Sequence, residues 1–105
     1  MGNGNIISPT IKSVVEKITE LLIPDVIYLY NQKVNANNAV TSFKLCVVAD
    51  VPDKFAAERD IYMEIDSDVP FDILIYTGEE WNGLVVNHTS FAHKIKETGT
   101  VVYHG

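Results

Sequence analysis

Only a handful of residues in this chain have the type and setting that chemistry requires. Asp72 stands inside the apolar run Phe71-Asp72-Ile73-Leu74-Ile75-Tyr76, and Lys44 inside another, Phe43 to Ala49. A carboxylate in such a run is an acid at a strand edge or a member of a site. A lysine there is a long stem with its ammonium in water, or a cation placed in a site. Ser42 follows Thr41 and has a hydroxyl, but no histidine or other base lies near it in sequence. A strand-start or turn role accounts for it better than nucleophilic catalysis does. His88, His93 and His104 lack a metal-ligand spacing, and the first two are five residues apart and share a helix face poorly. Cys46 is the only cysteine, so an intramolecular disulfide is impossible; its apolar surroundings suit a buried inert thiol.

These residues must be held by one small domain. The chain has 105 residues, read as a single domain over 1–105 with residues 1–7 flexible. A domain of this size buries about two-thirds of its unfolded surface. The 47% apolar content is that of a globular chain, and the net charge of −6 opposes non-specific nucleic-acid binding, which needs clustered Lys and Arg. No apolar run is long enough to span a bilayer. The polar start Met1-Gly2-Asn3-Gly4-Asn5 is no signal peptide, and Ile6 stands where N-myristoylation asks for Ser or Thr. A cytoplasmic location is expected, so the sequon Asn87-His88-Thr89 carries little weight.

Ser8-Pro9 opens a helix whose apolar face is Ile11, Val14, Val15, Ile18, Leu21 and Leu22, and Pro24 ends it. Val26 to Tyr30 forms a first strand, and Phe43 to Ala49 a second with apolar residues on both faces. Asn31 to Ser42, rich in Asn, reads as a loop between them. Pro52-Asp53 starts a second helix with Ala57, Ile61 and Ile65 on one face; Asp50 and Asp53 both read as its caps. Asp66 to Asp68 is a turn, and Phe71 to Tyr76 a third strand. Thr77-Gly78-Glu79-Glu80 is a capping box for a short helix carrying Trp81, Leu84 and Val85. Ser90 to Thr98 is the last helix, with Phe91 and Ile95 as its buried pair and Gly99 as its stop. Val101-Val102-Tyr103 is a terminal edge strand. The expected fold is α/β (α+β), a small mixed sheet with helices packed on it.

Residues 69–103 carry a family likeness. The runs Val-Pro-Phe-Asp-Ile-Leu-Ile-Tyr-Thr-Gly-Glu-Glu-Trp and His-Thr-Ser-Phe-Ala-His-Lys-Ile-Lys-Glu-Thr-Gly-Thr-Val-Val-Tyr resemble the C-terminal half of a minimal nucleotidyltransferase of the DNA polymerase β-like superfamily. The likeness extends over about 26–103. It implies a Gly-Ser phosphate turn after the first strand, Asp-x-Asp on the second and one further Asp on the third. Three carboxylates would then hold two Mg²⁺ ions around a nucleoside triphosphate. In this chain the Gly-Ser pair falls on Asn31-Gln32 and a later Gly on Ala36. In the preferred register Thr41-Ser42-Phe43-Lys44-Leu45 aligns with Ser-Asp-Ile-Asp-Leu, so the two metal carboxylates become Ser42 and Lys44. In the ungapped register they become Phe43 and Leu45. Only the third carboxylate remains, as Asp72.

The likeness thus implies a degenerate member. The expected role is a catalytically inactive binding or regulatory subunit, similar to an antitoxin-like partner in a two-component system. Its partner would be a second copy of the chain or a helical protein, with no nucleic acid or membrane. No cofactor is expected. The alternatives are an active nucleotidyltransferase that uses Mg²⁺ and a nucleoside triphosphate, and a non-catalytic nucleotide-binding module. One carboxylate cannot hold two Mg²⁺ ions, which weighs against activity.

Overall fold

Ser8 caps the first helix by accepting a hydrogen bond from the Ile11 N–H at 3.1 Å, and Pro9 occupies the first turn, where it sacrifices no internal bond. The computed structural model describes residues 7–105; the expectations for residues 1–6, including the N-terminal lipid signal, lie outside the described residues. The element order is α1 (Pro9–Leu22), β1 (Val26–Val34), β2 (Val40–Val48), α2 (Lys54–Glu64), β3 (Phe71–Tyr76), α3 (Gly78–Val85), α4 (Phe91–Thr98) and β4 (Thr100–His104).

The four strands form one mixed sheet in the order β3-β2-β1-β4. β1 pairs antiparallel with β2 and β4, while β2 and β3 run parallel. Both faces are covered. On one, α1 and α2 bury Ile11, Val14, Ile18, Ala57 and Ile61 against Ile27, Leu29, Phe43, Leu45, Val47, Ile73 and Ile75. On the other, Trp81, Ala92 and Ile95 of α3 and α4 pack on Tyr28, Cys46 and Val48. β2 is central, so its alternate residues serve both cores, which explains its apolar run from Leu45 to Val48. The molecule is a mixed α+β domain, as its composition and periodicity led one to expect, and β4 is an edge strand.

Several boundaries and roles differ from expectation. The segment 31–42 is not a loop: β1 runs on to Val34 and β2 begins at Val40, leaving a short turn. The Asn35 side chain closes that turn by accepting from the N–H groups of Asn37 (2.8 Å) and Ala39 (3.1 Å), and Asn38 takes the left-handed conformation at φ 63°. Asp53 caps α2, but Asp50 caps α3 instead, accepting from the Gly78 N–H at 2.9 Å. Phe91 is half exposed at 49%; Ala92 takes its place as the buried partner of Ile95. Gly99 stops α4 by close approach and not by a left-handed turn: a Cβ there would lie 2.6 Å from the Ile95 carbonyl oxygen.

Candidate functional site

The sheet positions singled out by sequence fall on its α3–α4 face. β2 and β3 pair so that Lys44 lies directly beside Asp72. Register partners on neighbouring strands share a face, so the two side chains stand on the same side of the sheet. Alternation along β2 assigns Lys44 to the side of Cys46 and Val48, which is the side of α3 and α4. Both residues are exposed. No ion pair joins them within 4 Å among the described residues, whose ion pairs are Lys54–Glu80 and the more open Arg59–Asp60.

Across the sheet from Lys44 is Asn31. The pairing of β1 with β2 skips Tyr30, a bulge that re-aims the chain. Two neighbouring residues, Tyr30 and Asn31, therefore reach the same cleft. That cleft, of about 330 Å³, is lined by Tyr30, Asn31 and Lys44 from the sheet and by Phe91, Lys94, Ile95 and Thr98 from α4. Phe91 meets Tyr30 edge to face, with ring centroids 5.5 Å apart. The cleft contains two ammonium groups and no carboxylate, in a chain of net charge −6. From Val26 to Ala49 the only charged side chains are Lys33 and Lys44.

The other sequence candidates separate. Gln32 pairs with Phe43, whose face is the α1–α2 side, so it points away from the cleft. Asn31 and Gln32 therefore form no phosphate turn: they lie in an extended strand, and the non-glycine residues with positive φ are Ile23 and Asn38 among those described. Ser42 pairs with Lys33 at the distal end of the hairpin. Cys46 is fully buried, and burial pushes its thiol up to about 12. His88 and His93 stack at 4.6 Å, because the turn between α3 and α4 folds back on itself. The His93 Nδ1–H donates to the Val85 carbonyl at 2.8 Å.

The fit to a two-metal centre fails on chemistry. Divalent magnesium takes hard oxygen ligands, and the position beside Asp72 holds an ammonium. Among the described residues no three of His, Cys, Asp and Glu converge on one point. What sequence reasoning missed is Lys94, whose contribution depends on where α4 docks, and the bulge at Tyr30, which has no glycine to announce it. Comparison with protein-family models, with curated proteins and with solved structures finds no match. No described helix is long and apolar enough to cross a membrane.

Proposed function

We propose that this chain is a binding or regulatory protein of nucleotidyltransferase-like design that performs no nucleotide transfer. The observation that carries the reading is the pairing of Lys44 with Asp72 on one exposed sheet face. A centre for phosphoryl transfer needs carboxylates that concentrate positive metal charge where the leaving phosphate develops negative charge. Here an ammonium-bearing side chain occupies the strand position next to the carboxylate, where the likeness asks for a second metal ligand. The partner is a second copy of the chain or another protein, the compartment is the cytoplasm, and no cofactor takes part.

A second reading, a nucleotide-binding module without chemistry, draws on the cleft itself. Lys44 and Lys94 offer charge to phosphates, and Tyr30 and Phe91 offer ring faces to a base. The extended backbone at Asn31 lacks the converging N–H groups that cradle phosphates, which favours the first reading.

The test is incubation with each radiolabelled nucleoside triphosphate, Mg²⁺ or Mn²⁺ and candidate protein and RNA acceptors. No transfer above a protein-free control is expected. Transfer that disappears in Asp72→Ala would overturn the reading.

A further inference from the structure

The two sides of the β1–β2 hairpin are treated differently by the rest of the fold. On the β3 side the outer edge is blunted: the Ile73 N–H donates to the Tyr62 hydroxyl oxygen at 2.8 Å, and Phe71 stacks between Phe43 and Tyr62, 5.5 Å from each. On the other side β4 pairs with β1 only from Val26 to Leu29. Beyond Leu29 the outer edge of β1, from Tyr30 to Val34, has no strand beside it among the described residues, and Asn31 to Val34 are exposed. The result is a slot in line with the start of β4, floored by the hairpin and flanked by α4.

The charged side chains lining the cleft beside this slot are Lys44 and Lys94, with Glu97 of α4 facing the adjoining groove. Asn31 and Lys33 share a face with their partners Lys44 and Ser42, and Lys94 reaches the same cleft from α4. None of Lys33, Lys44 and Lys94 takes part in an ion pair among the described residues. Asp72 stands next to Lys44 on β3, the strand farthest from the slot, and forms no ion pair with it within 4 Å. A strand laid beside β1 would sit ~5 Å from it, ~10 Å from β2 and ~14 Å from β3, given the ordinary spacing of strands.

We propose that the open edge of β1 at Tyr30–Val34 docks an extended polypeptide strand with acidic side chains at alternate positions. The strand would continue the line of β4 and take its backbone hydrogen bonds from β1. Alternate side chains of a strand share a face, so a Glu-x-Glu spacing presents its carboxylates to Lys33, Lys44 and Lys94 together. A free phosphate would use the lysines but not the edge; a strand uses both. The inference rests on the chain being a binding protein, as proposed above, and not on the absence of nucleotide transfer.

The experiment uses the ¹⁵N-labelled full chain and a synthetic probe, acetyl-Thr-Glu-Val-Glu-Val-Glu-Thr-amide. Saturable amide shifts confined to Tyr30–Val34 and Lys94–Thr100 are expected. N-methylation of alternate peptide bonds, set on either edge in turn, should abolish them for one edge. The exposed double substitution Lys33→Glu with Lys94→Glu should weaken binding by about tenfold at low salt, with an unchanged thermal midpoint. A peptide with Lys in place of Glu should not bind. The proposal is overturned if the acidic peptide gives no saturable shifts, if the shifts map to α2 or the outer edge of β4, or if the charge-reversed variant binds equally well. Binding that ATP displaces and that N-methylation leaves intact assigns the cleft to phosphates instead, and likewise overturns it. Since no outcome involves label transfer, its failure is separable from that of the non-catalytic reading.

Discussion

Ile23 takes the left-handed backbone conformation, with φ at 50°, although it is β-branched, and it is 83% exposed. It serves as the C-cap of α1, its N–H donating to the Thr19 carbonyl, a position glycine fills without steric cost. Ile23→Gly is expected to raise stability by about 1 kcal/mol in denaturant unfolding, since relieving the left-handed strain exceeds the extra chain entropy lost. A lower midpoint would show that Ile23 makes contacts that outweigh its strain. Glu80 offers a second residue-scale test. Hydrogen bonds from the Thr77 N–H and then from Lys54 hold its carboxyl below the ordinary carboxylate range. A lowered folded-state value means the contribution is present above the unfolded-state value and fades as pH falls through the folded one. The thermal midpoint of Glu80→Gln should therefore lie below that of the parent at pH 7, and the gap should close as acid protonates the Glu80 carboxyl in the folded chain. Cys46, with its thiol raised by burial, should react with a thiol reagent at pH 8 only as fast as the chain opens globally.

At the scale of elements, the β1–β2 hairpin divides into an anchored half and a free half. Val26 to Leu29 are flanked by strands on both sides, whereas Asn31 to Val34 are flanked on one. Amide hydrogen exchange should split accordingly, with slow exchange at Ile27 to Leu29 and much faster exchange at the outward-facing amides of Asn31 to Val34. Uniform protection along β1 would mean that something covers its distal edge in solution. This hairpin also marks the limit of what residue patterns reveal. The capping box at Thr77, the helix start at Ser8 and the third strand are legible because each depends on local chemistry or on burial. The distal hairpin buries neither face, so it has no alternating pattern, and its Asn content matches that of a loop. Backbone pairing alone makes it a strand. The bulge at Tyr30 is hidden for the same reason, and with it the route by which Asn31 enters the cleft. Gly99 was legible as a stop, but its cause, a 2.6 Å approach of any Cβ to the Ile95 carbonyl, depends on how α4 meets β4.

For the whole molecule, the apolar content has a visible consequence. Tyr28 and Trp81 are buried at 8% and 7% exposure, their rings tilted against each other 5.3 Å apart in the α3–α4 core. The exposed apolar residues include Phe55 and Met63 on the outer side of α2, with Tyr62 beside them at the β3 edge. α2 is accordingly apolar on two sides, through Ala57 and Ile61 inward and Phe55 and Met63 outward. Self-association or protein binding is expected from this surface and from the outer edge of β4, with light scattering as its measure. Phe55→Glu with Met63→Glu should shift the mass toward monomer without lowering the unfolding midpoint.

The central claim is that the Lys44–Asp72 face holds no divalent metal. Titration of the ¹⁵N-labelled chain with Mn²⁺ tests it at residue level, because a bound paramagnetic ion broadens nearby amides selectively. The account predicts no saturable broadening at Asn31, Lys44 or Asp72, with or without ATP. Selective broadening of those amides at micromolar Mn²⁺, abolished by Asp72→Ala, would contradict it.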